Sequence, residues 1–175
     1  LDLAADIVTG VKFSNAGQIC VSPNRVFVAK AVHESFTQKV VDRARAAKVG
    51  FDKHANITTG PVIDGSAWTR LKGLVDDAVA GGARLLAGGE RPTGMNAGHF
   101  LAPTVLAGVT ETMAVYREET FGPVAPLFRF SDEAAVVAMA NDTEYGLASY
   151  LFTNDPERQA RFASALEFGE VQING

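Results

Sequence analysis

Pro123-Val124-Ala125-Pro126-Leu127-Phe128-Arg129-Phe130, followed at once by Ser131-Asp132-Glu133, is the stretch that decides the fold. The first eight residues are nearly continuously apolar. A run of that length predicts a strand buried on both faces rather than one with a wet side. Ser131 then reads as the cap of a helix carrying Asp132 and Glu133 in its first turn, where negative charge is favourable, and that helix is predicted to reach about Asn141. A buried strand leading into a helix is the repeating step of an α/β protein.

Working outward, the same alternation recurs. Leu147–Thr153 reads as a strand. Asp155-Pro156-Glu157 supplies a cap and a first-turn proline for a helix bearing Phe162 and Leu166, and Glu170–Asn174 reads as a strand. Toward the N-terminus, Leu3, Ile7, Val8 and Val11 predict a helix over about 2–15, broken by Gly17. Arg25–Ala29 is a short β-type run. Phe36, Val40, Ala44 and Ala47 mark a helix over 33–48, and Trp68, Leu71, Leu74, Val75 and Ala78 another over 66–80, closed by Gly81-Gly82. Arg84–Ala87 reads as a strand. Residues 88–99, with four glycines and a proline, read as a long surface loop. The expectation is an α/β fold whose mostly parallel sheet is flanked by helices, with the whole chain forming a lone domain.

Composition limits what such a domain does. At 175 residues the chain can remove roughly 70% of its unfolded surface from water. With 16 basic and 20 acidic residues its formal charge is -4, which argues against a nucleic-acid partner. No apolar stretch approaches the ~20 residues of a membrane span. One cysteine cannot build a disulfide framework, and a reducing, cytoplasmic setting is expected. Neither Leu1 nor Gly175 reads as a natural terminus, so a piece of a longer protein is expected.

Two constellations carry chemistry. The first is Asn15-Ala16-Gly17-Gln18-Ile19-Cys20-Val21-Ser22-Pro23-Asn24-Arg25. An isolated cysteine is ordinarily a small buried hydrophobe. Cys20, however, lies between a helix end and a strand, where α/β proteins build sites. Gly17 allows close backbone approach there, and free N–H groups could stabilise a thiolate and an oxyanion. His33 reads as a surface or cap residue, and His54 and His99 as loop residues. None is placed beside Cys20 for a Cys–His hydrolase, and the spacing fits no metal site. The second constellation is Glu118-Glu119-Thr120-Phe121-Gly122-Pro123. Adjacent carboxylates are usually a solvated edge, but Glu119-x-Phe121 also pairs an acceptor for ribose hydroxyls with a ring that can pack a base. No glycine-rich phosphate cradle is present.

Phe13-x-Asn15-x-Gly17-Gln18-x-Cys20 and Glu118-Glu119-x-Phe121-Gly122-Pro123-Val124 resemble the two signatures of the aldehyde dehydrogenase superfamily, and about 100 residues separate them, as in the family. Gly60-Pro61, Pro103–Leu106, Asn141-Asp142-x-x-x-Tyr145-Gly146-Leu147-Ala148 and Gly169-x-Val171-x-Ile173-Asn174 are similar to further family stretches. The resemblance implies that Cys20 is the nucleophile and that its N–H is one oxyanion donor. It implies that Glu119 holds the nicotinamide-side ribose of NAD or NADP and that Phe121 lines the nicotinamide pocket. Gly17, Gly122 and Pro123 would shape the loops, and Asn174 would be structural. No metal is implied.

The resemblance further implies a small aldehyde as substrate, a thioester intermediate, and a parent enzyme that is a homodimer or homotetramer. In the family the dinucleotide-binding domain, the water-activating Glu and the side-chain Asn of the oxyanion hole precede this region. Residues 1–175 are therefore expected to be an incomplete catalytic domain, truncated at both ends and inactive in isolation. Cys20 and its surroundings, with Phe168–Asn174, look most like the branch acting on lactaldehyde and succinate semialdehyde, though Ser14 stands where many succinate-semialdehyde enzymes carry Arg. A thiol-dependent hydrolase and a non-catalytic assembly domain are the alternatives.

Overall fold

The computed structural model describes residues 1–52 and 56–175, so His54 lies outside the described residues. The elements, in chain order, are α1 (Asp2–Phe13), a short turn (Ser14–Gly17), β1 (Val26–Ala29), α2 (His33–Ala46), α3 (Gly65–Ala80), β2 (Arg84–Ala87), β3 (Thr104–Ala107), α4 (Ala114–Arg117), β4 (Val124–Phe130), α5 (Glu133–Asn141), β5 (Ala148–Leu151), α6 (Pro156–Ala165) and β6 (Glu170–Ile173). Four strands form one sheet in the order β1-β4-β3-β2, and β5 pairs with β6 in a second, parallel pair. Within the larger sheet β1, β4 and β3 are parallel, and β2 is an antiparallel edge. The expected α/β architecture with a mostly parallel sheet is the one observed.

β4 is central because its residues alternate between two cores. Val124 and Phe128 join Leu71, Val75 and Ala78 of α3 on one face. Ala125 and Leu127 join Val8 and Phe13 of α1 and Phe36, Val40 and Val41 of α2 on the other. Pro126 is unusual in a central strand, since its nitrogen cannot donate. The Lys30 amide donates to the Phe130 carbonyl, so the even-numbered residues of β4 turn their backbone toward β1. Pairing with β1 begins only at Leu127, opposite Val26, and Pro126 sits just before that ladder starts.

Several local readings shift. α1 buries Ala5, Val8, Thr9, Lys12 and Phe13, whereas Leu3 is exposed and Ile7 and Val11 are half-buried. The helix is therefore rotated relative to the stripe drawn through its long aliphatic residues. The cap of α5 is Asp132, whose carboxylate accepts from the Ala135 amide, one residue beyond the expected Ser131. Asp155 caps α6 as expected. His33 is buried rather than exposed. β3 has no counterpart among the strands read from the sequence. Among the described residues, no helix is long and apolar enough to cross a membrane.

Arg25 locks α5 onto the sheet. Its guanidinium donates to the carbonyls of Met139 and Ala140, both at 2.8 Å, at the negative end of that helix. It also lies over the rings of Phe27 and Tyr116, and the Tyr116 ring meets Phe128 edge-on. This cluster fixes the start of β1, immediately after the Cys20 loop.

Candidate active site

α1 ends at Phe13, and the chain then turns through three consecutive residues with left-handed backbone: Asn15 (φ 48°), Ala16 (φ 54°) and Gly17 (φ 70°). Two of the three carry a Cβ, which costs roughly 1–2 kcal/mol each in this region. Side chains compensate. The amides of Asn15 and Gln18 donate to each other's backbone carbonyls. Gln18 also donates to the Pro61 carbonyl and accepts from the Ile63 amide, tying the turn to the segment before α3. The outcome is a rigid platform from which Cys20 projects, exposed to solvent. The ordinary expectation of a buried cysteine does not hold here.

The second loop lies directly against this platform. A Cβ built on Gly17 would stand 2.2 Å from the Gly122 carbonyl oxygen and 2.8 Å from that of Lys12. A Cβ on Gly122 would fall 2.2 Å from a Leu71 methyl. The two signature loops thus meet backbone to backbone, with α3 packed behind them, and only glycine permits that approach.

Thr120 anchors the second loop. It is fully buried, while Glu118, Glu119 and Phe121 on either side are exposed. Its amide donates to Asn24 at 2.7 Å, its carbonyl accepts from Arg70 at 2.6 Å, and its hydroxyl accepts from the Lys12 ammonium at 2.8 Å. Arg70 also donates to the Glu119 carbonyl, and Asn24 to that of Glu118. Among the described residues the Glu119 carboxylate makes no side-chain hydrogen bond or ion pair, so its oxygens are free to accept from a ligand. Phe121 has φ 41° and is 40% exposed.

A cleft of about 1070 Å³ opens between the outer edge of β1 and strand β5. Cys20 and Glu119 both line it; Phe121 is exposed but does not line it. Across the cleft, the Tyr150 hydroxyl donates to the Val21 carbonyl at 3.0 Å, next in sequence to Cys20. Burial pushes the Tyr150 phenol up, and its neighbours Glu170 and Cys20 add to the rise, which keeps the phenol a donor. Asn174 lies elsewhere: its amide group bonds both the N–H and the carbonyl of Thr153, clamping the ends of β5 and β6. His33 opens α2 and His99 is exposed in the loop before β3. Among the described residues no group of three or more His, Cys, Asp or Glu could hold a metal ion.

Lys12, Asn24, Arg70 and Tyr150 were not apparent from the sequence. Lys12 is the most unusual, at 1% exposure. Burial pushes its ammonium down to about 7, against an opposing pull from the Glu119 carboxylate. The unfolded chain keeps that proton to near pH 10.5, so between about pH 7 and 10 the unfolded state binds more protons than the folded one. Stability should therefore rise with pH across that interval, by at most ~1.4 kcal/mol per unit. Urea unfolding at pH 7, 8 and 9 should show this rise in the parent protein and lose it in Lys12→Met. Parallel profiles would show that the lysine stays charged when folded.

The model of the aldehyde dehydrogenase family matches residues 1–175. The chain is 46% identical over 174 residues to a glutarate-semialdehyde dehydrogenase of Pseudomonas putida, covering 99% of this chain and 35% of that protein. It is 42% identical to an NADP+-dependent succinate-semialdehyde dehydrogenase of Escherichia coli, covering 99% and 36%. The crystal structure of lactaldehyde dehydrogenase from Escherichia coli superposes with a TM-score of 0.93 at 34% identity, covering 98% and 36%. The chain thus spans about a third of the length of these relatives.

Proposed function

The chain belongs to the aldehyde dehydrogenase family, and on that footing we propose that residues 1–175 form the thiol-bearing catalytic domain of a longer NAD(P)-dependent enzyme that oxidises a small aldehyde to its acid. The observation that carries this reading is the joint exposure of Cys20 and Glu119 on one cleft, from two loops locked together at Gly17 and Gly122. A glutarate- or succinate-semialdehyde is the favoured substrate class, because relatives with those names align over 99% of the chain. Self-association as a dimer or tetramer belongs to the same proposal.

In this mechanism the Cys20 thiolate adds to the aldehyde carbon. A C–S bond forms and the carbonyl π pair moves to oxygen, giving a thiohemiacetal oxyanion. The Cys20 backbone N–H is one donor for that oxyanion. When the C=O bond re-forms, hydrogen leaves the carbon with its electron pair, and a thioester remains. Water then cleaves the C–S bond, releasing the acid and the thiol. NAD(P), when bound, supplies the hydride acceptor. The residues present fit its nicotinamide end: the unpaired Glu119 carboxylate can accept from ribose hydroxyls, and the exposed Phe121 ring can pack the nicotinamide side. By holding the ribose, Glu119 would orient the hydride acceptor relative to Cys20, and orientation of that kind lowers a barrier.

The test is an assay of the full-length protein with NAD or NADP and a panel of small aldehydes, alongside a thioester substrate for hydrolase activity. Reduced nicotinamide should form only with aldehyde. Glu119→Gln keeps neutral hydrogen bonding but loses the charge-assisted part, so hydride transfer should slow about tenfold with little change in melting temperature. If Glu119→Gln unfolds the protein while coenzyme kinetics stay as they were, the carboxylate is structural.

A further inference from the structure

The buried Lys12 side chain has no part in the chemistry above, yet it joins the two loops that carry it. Its backbone carbonyl packs against Gly17 in the platform that presents Cys20. Its ammonium reaches the hydroxyl of Thr120, 108 residues away, at 2.8 Å. Asn24 and Arg70 fix the Thr120 backbone, but a backbone held at amide and carbonyl does not fix the side chain. The Lys12 bond does, and it keeps Thr120 turned inward. Thr120 is thus held inward between Glu119 and Phe121, both exposed, with Phe121 in left-handed backbone at φ 41°. The placement is costly in itself: an apolar residue of similar length would fill the site without desolvating a charge.

We propose that Lys12 is a positioning residue that sets the reach of Glu119 and Phe121 toward the coenzyme by holding the Thr120 hydroxyl. This rests on the reading of Glu119 and Phe121 given above. Two consequences separate it from a merely structural lysine. Removing the ammonium should impair hydride transfer even where stability is unchanged or improved. Removing either partner should also have most of the effect of removing both, because the hydrogen bond between them needs each.

The experiment compares Lys12→Met, Thr120→Val, Thr120→Ser, the double variant Lys12→Met/Thr120→Val, and Glu119→Gln in the full-length protein. It reads kcat, the KM of coenzyme and of aldehyde, and the kinetic isotope effect with a C1-deuterated aldehyde. Lys12→Met and Thr120→Val are each expected to lower kcat about tenfold and enlarge the isotope effect, with aldehyde KM unchanged. The double variant should fall little further than the singles, and Thr120→Ser should recover most of what Thr120→Val loses. Losses that multiply to about a hundredfold in the double variant, or a Lys12→Met enzyme with parental kcat, would overturn the proposal. Should Lys12→Met fail to fold, the Thr120→Val and Thr120→Ser pair decides the matter alone. If Glu119→Gln slows the enzyme while the Lys12 and Thr120 variants do not, only this proposal falls. If Glu119→Gln is also silent, the coenzyme reading of the loop fails and takes this proposal with it.

Discussion

Replacing Cys20 by alanine is expected to lower aldehyde oxidation by at least ~10⁴-fold in the full-length protein while leaving coenzyme binding intact. The size follows from the chemistry. Without Sγ no C–S bond forms. The selectivity follows from the structure. Cys20 is exposed and lies outside both hydrophobic clusters, so its loss removes no core contact. The platform beneath it is held by Asn15, Gln18 and Gly17, none of which bonds to the thiol. Initial rates of nicotinamide reduction, with calorimetric coenzyme titration as control, measure both halves. Turnover within tenfold of the parent would remove Cys20 from the nucleophile's role. Iodoacetamide labelling, with the Cys20-containing peptide identified by mass spectrometry, reports the reactivity of this thiol.

The motifs were legible because each is local. Gly17-x-x-Cys20 and Glu119-x-Phe121 each lie within a few residues, at element ends. β4 and α5 were legible for the same reason: a continuous apolar run and a capped helix need no distant information. What escaped was whatever depends on contacts far apart in the chain. Lys12 meets Thr120 across 108 residues, Asn24 meets Thr120 across 96, and Tyr150 meets Val21 across 129. No periodicity encodes such pairs. The stripe through Leu3, Ile7 and Val11, the long aliphatic residues of α1, is not its inner face. Close packing against the sheet selects small Ala5 there, and the approach to the second loop selects Lys12.

Gly17→Ala should be severely damaging, destabilising the protein by about 2–5 kcal/mol. Two independent costs combine. At φ 70° a Cβ meets its own backbone, costing roughly 1–2 kcal/mol. The added methyl would also stand 2.2 Å from one backbone oxygen and 2.8 Å from another, neither of which can rotate away as a side chain could, adding overpacking strain of about 1–3 kcal/mol. Gly108→Ala isolates the first cost, because Gly108 has φ 71° with nothing within 4 Å of its added Cβ. Urea unfolding of the two variants should therefore differ by the strain alone. Kinetics should separate them further. Whatever folded Gly17→Ala enzyme survives must part the Cys20 platform from the Gly122 carbonyl, moving the nucleophile relative to Glu119. A shift of about 1 Å at such a junction can cost on the order of 10²-fold in turnover, whereas Gly108→Ala, at the far end of β3, should retain its rate per folded molecule. Equal stability and equal rates in the two variants would show that the loops do not depend on their contact at Gly17.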